Sequence, residues 1–352
     1  MTTFLTLFVL SLFAISLWQI SKIYSLSRVG SDDNPGVAND KDNKLNGKLM
    51  LAYVVFLFVF TIAGFFWWGD VLLPESASEH GAKTDMLMTV SFILIFFVFF
   101  VTEWVLFYFA YKYYGRKNQR AVFFADNDKL EMVWTIIPAI VLSGLIIYGL
   151  STWSDIMNIN VDDDPIVIEL YAKQFNWDAR YAGNDNTLGE ANVRLIEGVN
   201  TLGVDASDPN SQDDIVTTEL HLPVGKKILF KMRSQDVLHS AYMPHFRAQM
   251  NTVPGMITQF AFTPTITTEE MRENLDVVAK VKKINAIRKA NSKILIAKGE
   301  VPLEPYEFDY LLLCNKICGA SHYNMQMKII VESEEDYQTW LSTQKTIAET
   351  LK

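Results

Sequence analysis

Cysteine is scarce: the 352-residue chain has two, Cys314 and Cys318, four positions apart. A secreted scaffold held by disulfides needs more of them at wider spacing, so that class is excluded. No C-x-x-C-H run occurs, so no haem attached to this chain is expected. Positive charge is also short: 31 Lys and Arg face 40 Asp and Glu, a net charge of −9. That balance argues against nucleic acid as a partner and for a basic protein or membrane-surface partner facing an acidic domain. What the chain has in quantity is apolar residues, 50% of the total beside 20% charged. They are unevenly spread. Residues 1–155 hold long apolar runs and the remainder reads as a polar domain, the pattern of a membrane anchor followed by a globular module.

Four apolar stretches are candidate spans: 4–20, 49–68, 86–111 and 132–150. A bilayer core needs about 20 apolar residues in a helix. The second and third meet that, the fourth is close and the first is marginal. The first is expected as a retained span and not a signal peptide, because no Lys or Arg precedes it and no small-x-small cleavage site follows. Lys22, Arg28, Lys41, Lys44 and Lys48 lie between spans one and two, and Lys112, Arg116, Lys117 and Arg120 follow span three. The 75–85 loop has only Lys83. The positive-inside rule puts the two basic loops in the cytoplasm, and four spans then leave the C-terminal domain on the far side, in a periplasm-like space. Glu103 lies 18 residues past Asp85, roughly 27 Å down a helix, so it reads as an interfacial acid at the cytoplasmic edge. Pro138 is expected to kink the fourth span.

From Pro165 the pattern shortens to strands. Ile166, Ile168 and Leu170 alternate with Val167, Glu169 and Tyr171, and Ile228, Phe230 and Met232 alternate with Leu229, Lys231 and Arg233. Period two with Pro and Gly turns predicts an all-β sandwich or barrel. Ser333 followed by acids and then Tyr337, Trp340 and Leu341 at helical spacing predicts a capped C-terminal helix. Two stretches read as insertions. Residues 183–214 are acidic and rich in Gly, Asn and Asp, and 267–299 are helix-like with many lysines. Solvated loop and surface helix are the expectations for them. The domain reading is 1–75 for two extra spans, 76–155 for two core spans, and 156–352 for the outer domain with insertions near 183–214 and 265–305.

Five residues carry chemistry together. Cys314, Cys318, His322 and Met325 are spaced C-x3-C-x3-H-x2-M, and His239 lies upstream. Thiolate, imidazole and thioether select copper, whereas zinc sites seldom use thioether. A mononuclear blue-copper site uses one cysteine, and here there is one too many. Two thiolates can bridge two copper ions, each of which then needs one imidazole and one weak axial ligand. His239, His322 and Met325 supply three of those four, and a loop carbonyl between the cysteines can supply the fourth. A Cys314–Cys318 disulfide is the competing reading; a C-x3-C bridge is geometrically awkward and leaves both histidines and Met325 unexplained.

On those residues the chain resembles cytochrome c oxidase subunit II, along spans three and four and nearly all of the outer domain. The resemblance implies a cupredoxin-like sandwich and a binuclear copper (CuA) centre held by His239, Cys314, the backbone carbonyl of Lys316, Cys318, His322 and Met325. Glu131 in Glu131-Met-Val-Trp134-Thr-Ile-Ile-Pro138 is similar to the family's acid at the mouth of a proton path into subunit I. Gln174-Phe175-Asn-Trp177 resembles the aromatic segment through which electrons enter, with Phe175 where the family usually has Trp, and Asp236 matches an acid near the donor's docking surface. Lys316 stands where the family usually has a Glu that binds an interface magnesium, which puts that ion in doubt. Asn251 stands where Asp is common.

The function so implied is that of the electron-accepting subunit of a proton-pumping terminal oxidase in a bacterial inner membrane. Its copper centre would take electrons from a cytochrome c-type donor and pass them to haem in subunit I. Implied partners are subunit I with haem a and CuB, other oxidase subunits and the lipid bilayer. Between 162 and 214 there are twelve acidic and three basic residues, an acidic surface that steers a basic donor. The extra spans and insertions add surface suited to a supercomplex that holds the donor. A quinol oxidase subunit would lack the two cysteines, nitrous oxide reductase is soluble with a propeller domain, and a membrane-tethered copper shuttle outside an oxidase is the alternative.

Overall fold

The computed structural model describes residues 2–27, 40–116, 119–159 and 164–351. Arg28, Lys117, Asp162 and Asp163 lie outside the described residues. The chain opens with four helices: α1 (Thr2–Ser27), α2 (Asp40–Trp68), α3 (Glu79–Lys112) and α4 (Asp128–Met157). They are apolar on all sides, as helices surrounded by lipid or by other helices are. Three of them, α2 to α4, are long and apolar enough to cross a membrane. In α1 the apolar segment Phe8–Tyr24 is shorter than that. Hydroxyls inside the spans bond back one turn, Thr61 to the Leu57 carbonyl and Ser91 to the Leu87 carbonyl, each at 2.8 Å. A polar side chain in a bilayer thus finds its partner within its own helix. Helix α4 runs on through Pro138.

Two units are distinguishable by contacts. The first comprises Met1–Trp67 and Ile95–Asp128. Within it, α2 packs on the second half of α3 through Phe58 and Phe100, edge to face at 4.7 Å, and Tyr53 and Phe107 at 5.4 Å. The second unit comprises Trp68–Leu94 and Lys129–Lys352, so it joins the start of α3 and nearly all of α4 to the outer domain.

The outer domain is a sandwich of two five-stranded sheets. One runs in the order β3 (Ile215–Thr217), β2 (Asn176–Tyr181), β1 (Ile166–Lys173), β5 (Ile228–Ser234), β8 (Thr258–Phe262). The other runs β4 (Leu220–Pro223), β10 (Gln326–Glu332), β9 (Tyr310–Cys314), β6 (His239–Met243), β7 (Ala248–Thr252). The pairs β1–β5 and β4–β10 are parallel and the rest antiparallel. Trp177, Tyr181, Phe230, Leu222 and Ile329 fill the space between the sheets. Each such buried side chain contributes about 1.5–3 kcal/mol. Strand β5 buries every second residue, as its alternation predicts. Strand β1 does not: Ile168 through Ala172 are all buried.

The second face of β1 is covered by the first insertion, which corrects the expectation of a solvated loop. Leu202 and Val204 close with Tyr171 and Ile347 into a small second core. Beneath it Arg180 is sealed among partners, with Nε 2.6 Å from Glu169 Oε2 and Nη1 3.1 Å from Asp214 Oδ2 and 2.9 Å from the Gly189 carbonyl. Arg233 reaches the other oxygen of Glu169. Of the insertion's acids Asp214 alone is buried, and it is paired with Arg180; the others stay at the surface.

The second insertion is helical as expected. Thr267 caps α5 (Thr268–Glu273) with a full capping box, and Asn274 caps α6 (Leu275–Ala297). No residue of α6 is buried. Its inner side is held by the returning chain: Asn285 exchanges two bonds with Tyr306, at 3.0 and 2.7 Å, and Arg288 donates to the Glu304 carbonyl at 2.7 Å. At the C-terminus Ser333 caps α7 (Glu334–Ser342), whose Tyr337 is buried and whose Trp340 stacks on His221 at 4.0 Å. A last turn, α8 (Ile347–Thr350), follows.

Candidate metal centre

Strand β9 ends at Cys314 and β10 begins after Met325, so the motif is the loop joining two antiparallel neighbours. Its base is closed where the Cys314 amide donates to the Met325 carbonyl at 3.0 Å. The Asn315 amide donates to the Ser240 carbonyl at 3.1 Å, which ties the loop to β6, the strand that starts with His239. Two strands of one sheet therefore deliver ligands that are 75 residues apart in sequence.

The ligand atoms converge. Cys314 and Cys318 Sγ are 3.9 Å apart, and the ligand atoms of His239, Cys314 and Cys318 all lie within 4.8 Å of one another. Cys314 Sγ stands 3.8 Å from His239 Nδ1 and 3.2 Å from the Lys316 carbonyl oxygen. Cys318 Sγ stands 3.7 Å from both His322 Nδ1 and Met325 Sδ. A disulfide needs sulfurs about 2.05 Å apart; both thiols are free. Burial, with the neighbouring Cys314 thiol, pushes the Cys318 thiol up to about 11, as expected where two sulfurs share a site that only a cation makes comfortable. Two thiolates and a thioether are soft donors and two imidazoles borderline ones, with one hard carbonyl oxygen beside them; their mutual separations leave room for ions between them, and the set fits copper.

The surroundings hold these ligands in place. His239 is fully buried and presents Nδ1 to the sulfurs, while its Nε2 meets Asp236 Oδ1 at 2.8 Å. A carboxylate on the far nitrogen of a ligating histidine fixes its tautomer and ring orientation. Asp236, expected at the donor surface, thus also touches a candidate ligand. Its other oxygen accepts from the Gln174 amide at 2.7 Å. The Gln174 side chain in turn donates to the Cys318 carbonyl, a role not read from the sequence because it joins residues 144 apart. Phe175 lies against the loop at Gly319, where an added Cβ would stand 2.8 Å from its ring; with φ at +144° as well, only glycine suits that position. Trp177 is buried with its ring 6.2 Å from that of His239. The Lys316 side chain is exposed, as is Ile317. Glu131, in the first turns of α4, is not brought to this cluster and is exposed in the single chain.

Comparison with known proteins gives the family. The family model for the cytochrome c oxidase subunit II transmembrane domain matches residues 66–152, and that for the periplasmic domain matches 166–270. The alternative cytochrome c oxidase subunit 2 of Bradyrhizobium diazoefficiens is 31% identical over 284 residues, 80% of this chain and 85% of that one. The chain belongs to the cytochrome c oxidase subunit II family. Cytochrome c oxidase subunit 2 of Thermostichus vulcanus is 24% identical over 312 residues, 80% of this chain and 82% of that one. As a subunit of a cytochrome c oxidase, the protein sits in a membrane through its apolar helices and carries a periplasmic β-sandwich domain. The periplasmic match ends at 270, just before α6 separates the earlier strands from the metal loop.

Proposed function

We propose that this subunit II accepts electrons from a cytochrome c-type donor at a binuclear copper centre and delivers them to haem in subunit I. The observation that carries this reading is the convergence of six donor groups, from His239, Cys314, Lys316 (carbonyl), Cys318, His322 and Met325, around two unbridged sulfurs. Two copper ions held there would take up and release one electron shared across the thiolates. The chain's own part is to hold the ligands in place. Asp236 holds the His239 ring, Gln174 holds the Cys318 carbonyl, and Phe175 with Gly319 closes the loop. A centre fixed before and after the electron arrives needs little rearrangement on reduction.

The N-terminal helices form four spans in a bacterial inner membrane, with 1–75 as the extra pair, 76–155 as the core pair and 156–352 as a cupredoxin-like domain. Glu131 lies at the cytoplasmic mouth of a proton path in subunit I, so Glu131→Ala slows turnover while the copper is still reduced quickly. Phe175 and Trp177 carry the electron from a donor that docks near Asp236. No interface magnesium is held by the Lys316 side chain, since a charged ammonium has no lone pair to offer. Within the oxidase the partners are subunit I with haem a and CuB and the other oxidase subunits; the acidic outer surface suits a cytochrome c-type donor held in a supercomplex with another respiratory complex, with the first two helices or the 267–299 insertion forming part of that contact.

Electron paramagnetic resonance of the purified oxidase tests the centre. One unpaired electron shared by two copper nuclei gives a seven-line hyperfine pattern, and Cys318→Ser abolishes it because a hydroxyl is a hard, weak ligand. A four-line spectrum with one copper per chain in the wild type would sink the binuclear reading.

A further inference from the structure

The strand that presents His239 is fastened at its other end. Strands β6 and β7 form a hairpin, with His239 paired to Thr252 at the open end and Met243 paired to Ala248 at the tip. Four residue steps along the strand, about 13 Å, separate His239 from Met243. Beyond Met243 the tip turns through Pro244–Phe246 to Arg247. Arg247 has φ at +52°, in the left-handed region where glycine is the easiest occupant. Glycine would relieve the backbone there, so what arginine adds is its side chain.

That side chain is fully committed. Nε and Nη2 grip both oxygens of Asp85 at 2.7 and 2.8 Å, a bidentate fork. Nη2 also donates to the Pro74 carbonyl at 2.6 Å and Nη1 to the Pro244 carbonyl at 2.8 Å. The guanidinium is nearly buried, at 8% exposure. Asp85 belongs to the start of α3, a membrane-spanning helix, and Pro74 to the segment leading into it. That segment docks on the same tip: the Ala77 amide donates to the His245 carbonyl at 2.7 Å, and the Ser78 hydroxyl to the Phe246 carbonyl at 2.7 Å. The Thr265 amide donates back to the Ala77 carbonyl at 2.9 Å. Ala77 and Ser78 are buried by this docking.

We infer that Arg247 and Asp85 are positioning residues that lock the His239 hairpin to helix α3 and so set where the copper centre sits relative to its acceptor in subunit I. The inference rests on the proposed electron-transfer function. Close-packed interiors transmit displacement, and β6 is also paired to β9 at Ala241 with Cys314, so a shift of the hairpin carries the metal loop with it. Electron transfer between fixed centres falls steeply with separation, so a freed hairpin lowers the rate with every copper ligand still in place.

The test uses the assembled oxidase with wild-type subunit II, Arg247→Ala, Arg247→Lys and Asp85→Asn. A photoreductant delivers one electron to the copper, and its passage to the haem of subunit I is followed optically. Arg247→Ala and Asp85→Asn are expected to slow that passage severalfold. Copper content, the copper spectrum and the rate of copper photoreduction stay as in the wild type. Arg247→Lys keeps the charge and loses the fork, and recovers part of the rate. Unchanged passage in Asp85→Asn and Arg247→Lys would overturn the inference, as would a slowed rate accompanied by an altered copper spectrum, which would assign the pair to the integrity of the site. Should Arg247→Ala fail to assemble, the two milder variants decide. Absence of a two-copper signal in the wild type would instead refute the function on which the inference rests.

Discussion

The two insertions in the outer domain look alike in polarity and differ in what they do with it. Residues 183–214 hold seven acids and one Arg, whereas α6 holds six Lys or Arg and one Asp. The acidic segment folds inward: it covers β1, builds a small core around Leu202 and Val204, and sets Asp214, fully buried, against Arg180. The basic helix has no fully buried residue: it rests on the domain through the partly buried Val277 and Val281 and is tied to its own return segment by Asn285 and Arg288. Charge content therefore does not tell whether a segment is solvated. What separates the two is that the acidic segment has apolar residues and one carboxylate, Asp214, that find partners inside the domain, since a buried charge persists only when paired and hydrogen-bonded.

The largest expected effect is at Arg180. Arg180→Ala removes the guanidinium from between Glu169, Asp214 and the Gly189 carbonyl, leaving Asp214 buried with the Gly189 amide as its remaining partner. Burial already drives the Asp214 carboxyl up to about 7, against the pull of Arg180. Breaking a buried pair by losing one member costs about 3–5 kcal/mol. Chemical denaturation of the full chain in detergent should show that loss, with amides of 183–214 losing hydrogen-exchange protection first. A loss under about 1 kcal/mol would mean that the insertion does not depend on its charges. Next comes Leu202→Ala, which empties the small core and is expected to destabilise by about 2–4 kcal/mol; an effect as small as that of a surface substitution would return the segment to the class of α6.

The metal loop and the membrane helices were legible in the sequence for a physical reason. A metal centre of the proposed kind demands particular donor types, and a loop between two strands restricts their spacing, so Cys314, Cys318, His322 and Met325 stand out as candidates. A bilayer demands about 20 apolar residues in a row. The first insertion was not legible, because Leu202 and Val204 are isolated in a polar stretch and Arg180 finds Asp214 34 positions away. Strand β1 alternates in sequence yet is buried on both faces, since its second cover is that same insertion. Arg247 and Asp85, 162 positions apart, carry no local signal at all. Asp236 was read as a surface acid, and its bond to His239 became visible only once the loop was folded.

Helix α6 does reach the domain electrostatically, and pH exposes it. His245 is packed edge-on against Phe308 and Tyr310, each at 5.2 Å. Burial first, then the charges of Lys280 on α6 and of Arg247, lower it from 6.5 to about 4. The folded state holds this imidazole neutral while the unfolded chain protonates it near 6.5. Its contribution to stability is present above 6.5 and is lost as pH falls toward 4, about 2 kcal/mol of it between pH 7.5 and 5. Asp214, raised to about 7, titrates across the same window in the opposite sense, so the slope to measure by denaturation is that of the wild type relative to His245→Gln: this difference in stability should fall by that amount from pH 7.5 to pH 5. Lys280→Ala should reduce the slope; an unchanged slope would leave α6 without electrostatic reach.

The smallest effect is expected at Asn285, the counterpart of Arg180 on the second insertion. Its amide exchanges two hydrogen bonds with the Tyr306 backbone, the pattern one strand makes with another, and so fastens the return segment along α6. Both residues are only partly buried. Water can therefore replace the lost groups, and Asn285→Ala forfeits the net value of a hydrogen bond, about 1 kcal/mol, without a desolvation penalty. The loss should be local, since no residue of α6 belongs to the buried core. Amides around 300–306 should exchange faster, with the global unfolding midpoint and the copper spectrum unchanged. A global loss of about 3 kcal/mol or more, matching Arg180→Ala, would mean that α6 supports the sandwich as the acidic insertion does, and the contrast between the two would fail.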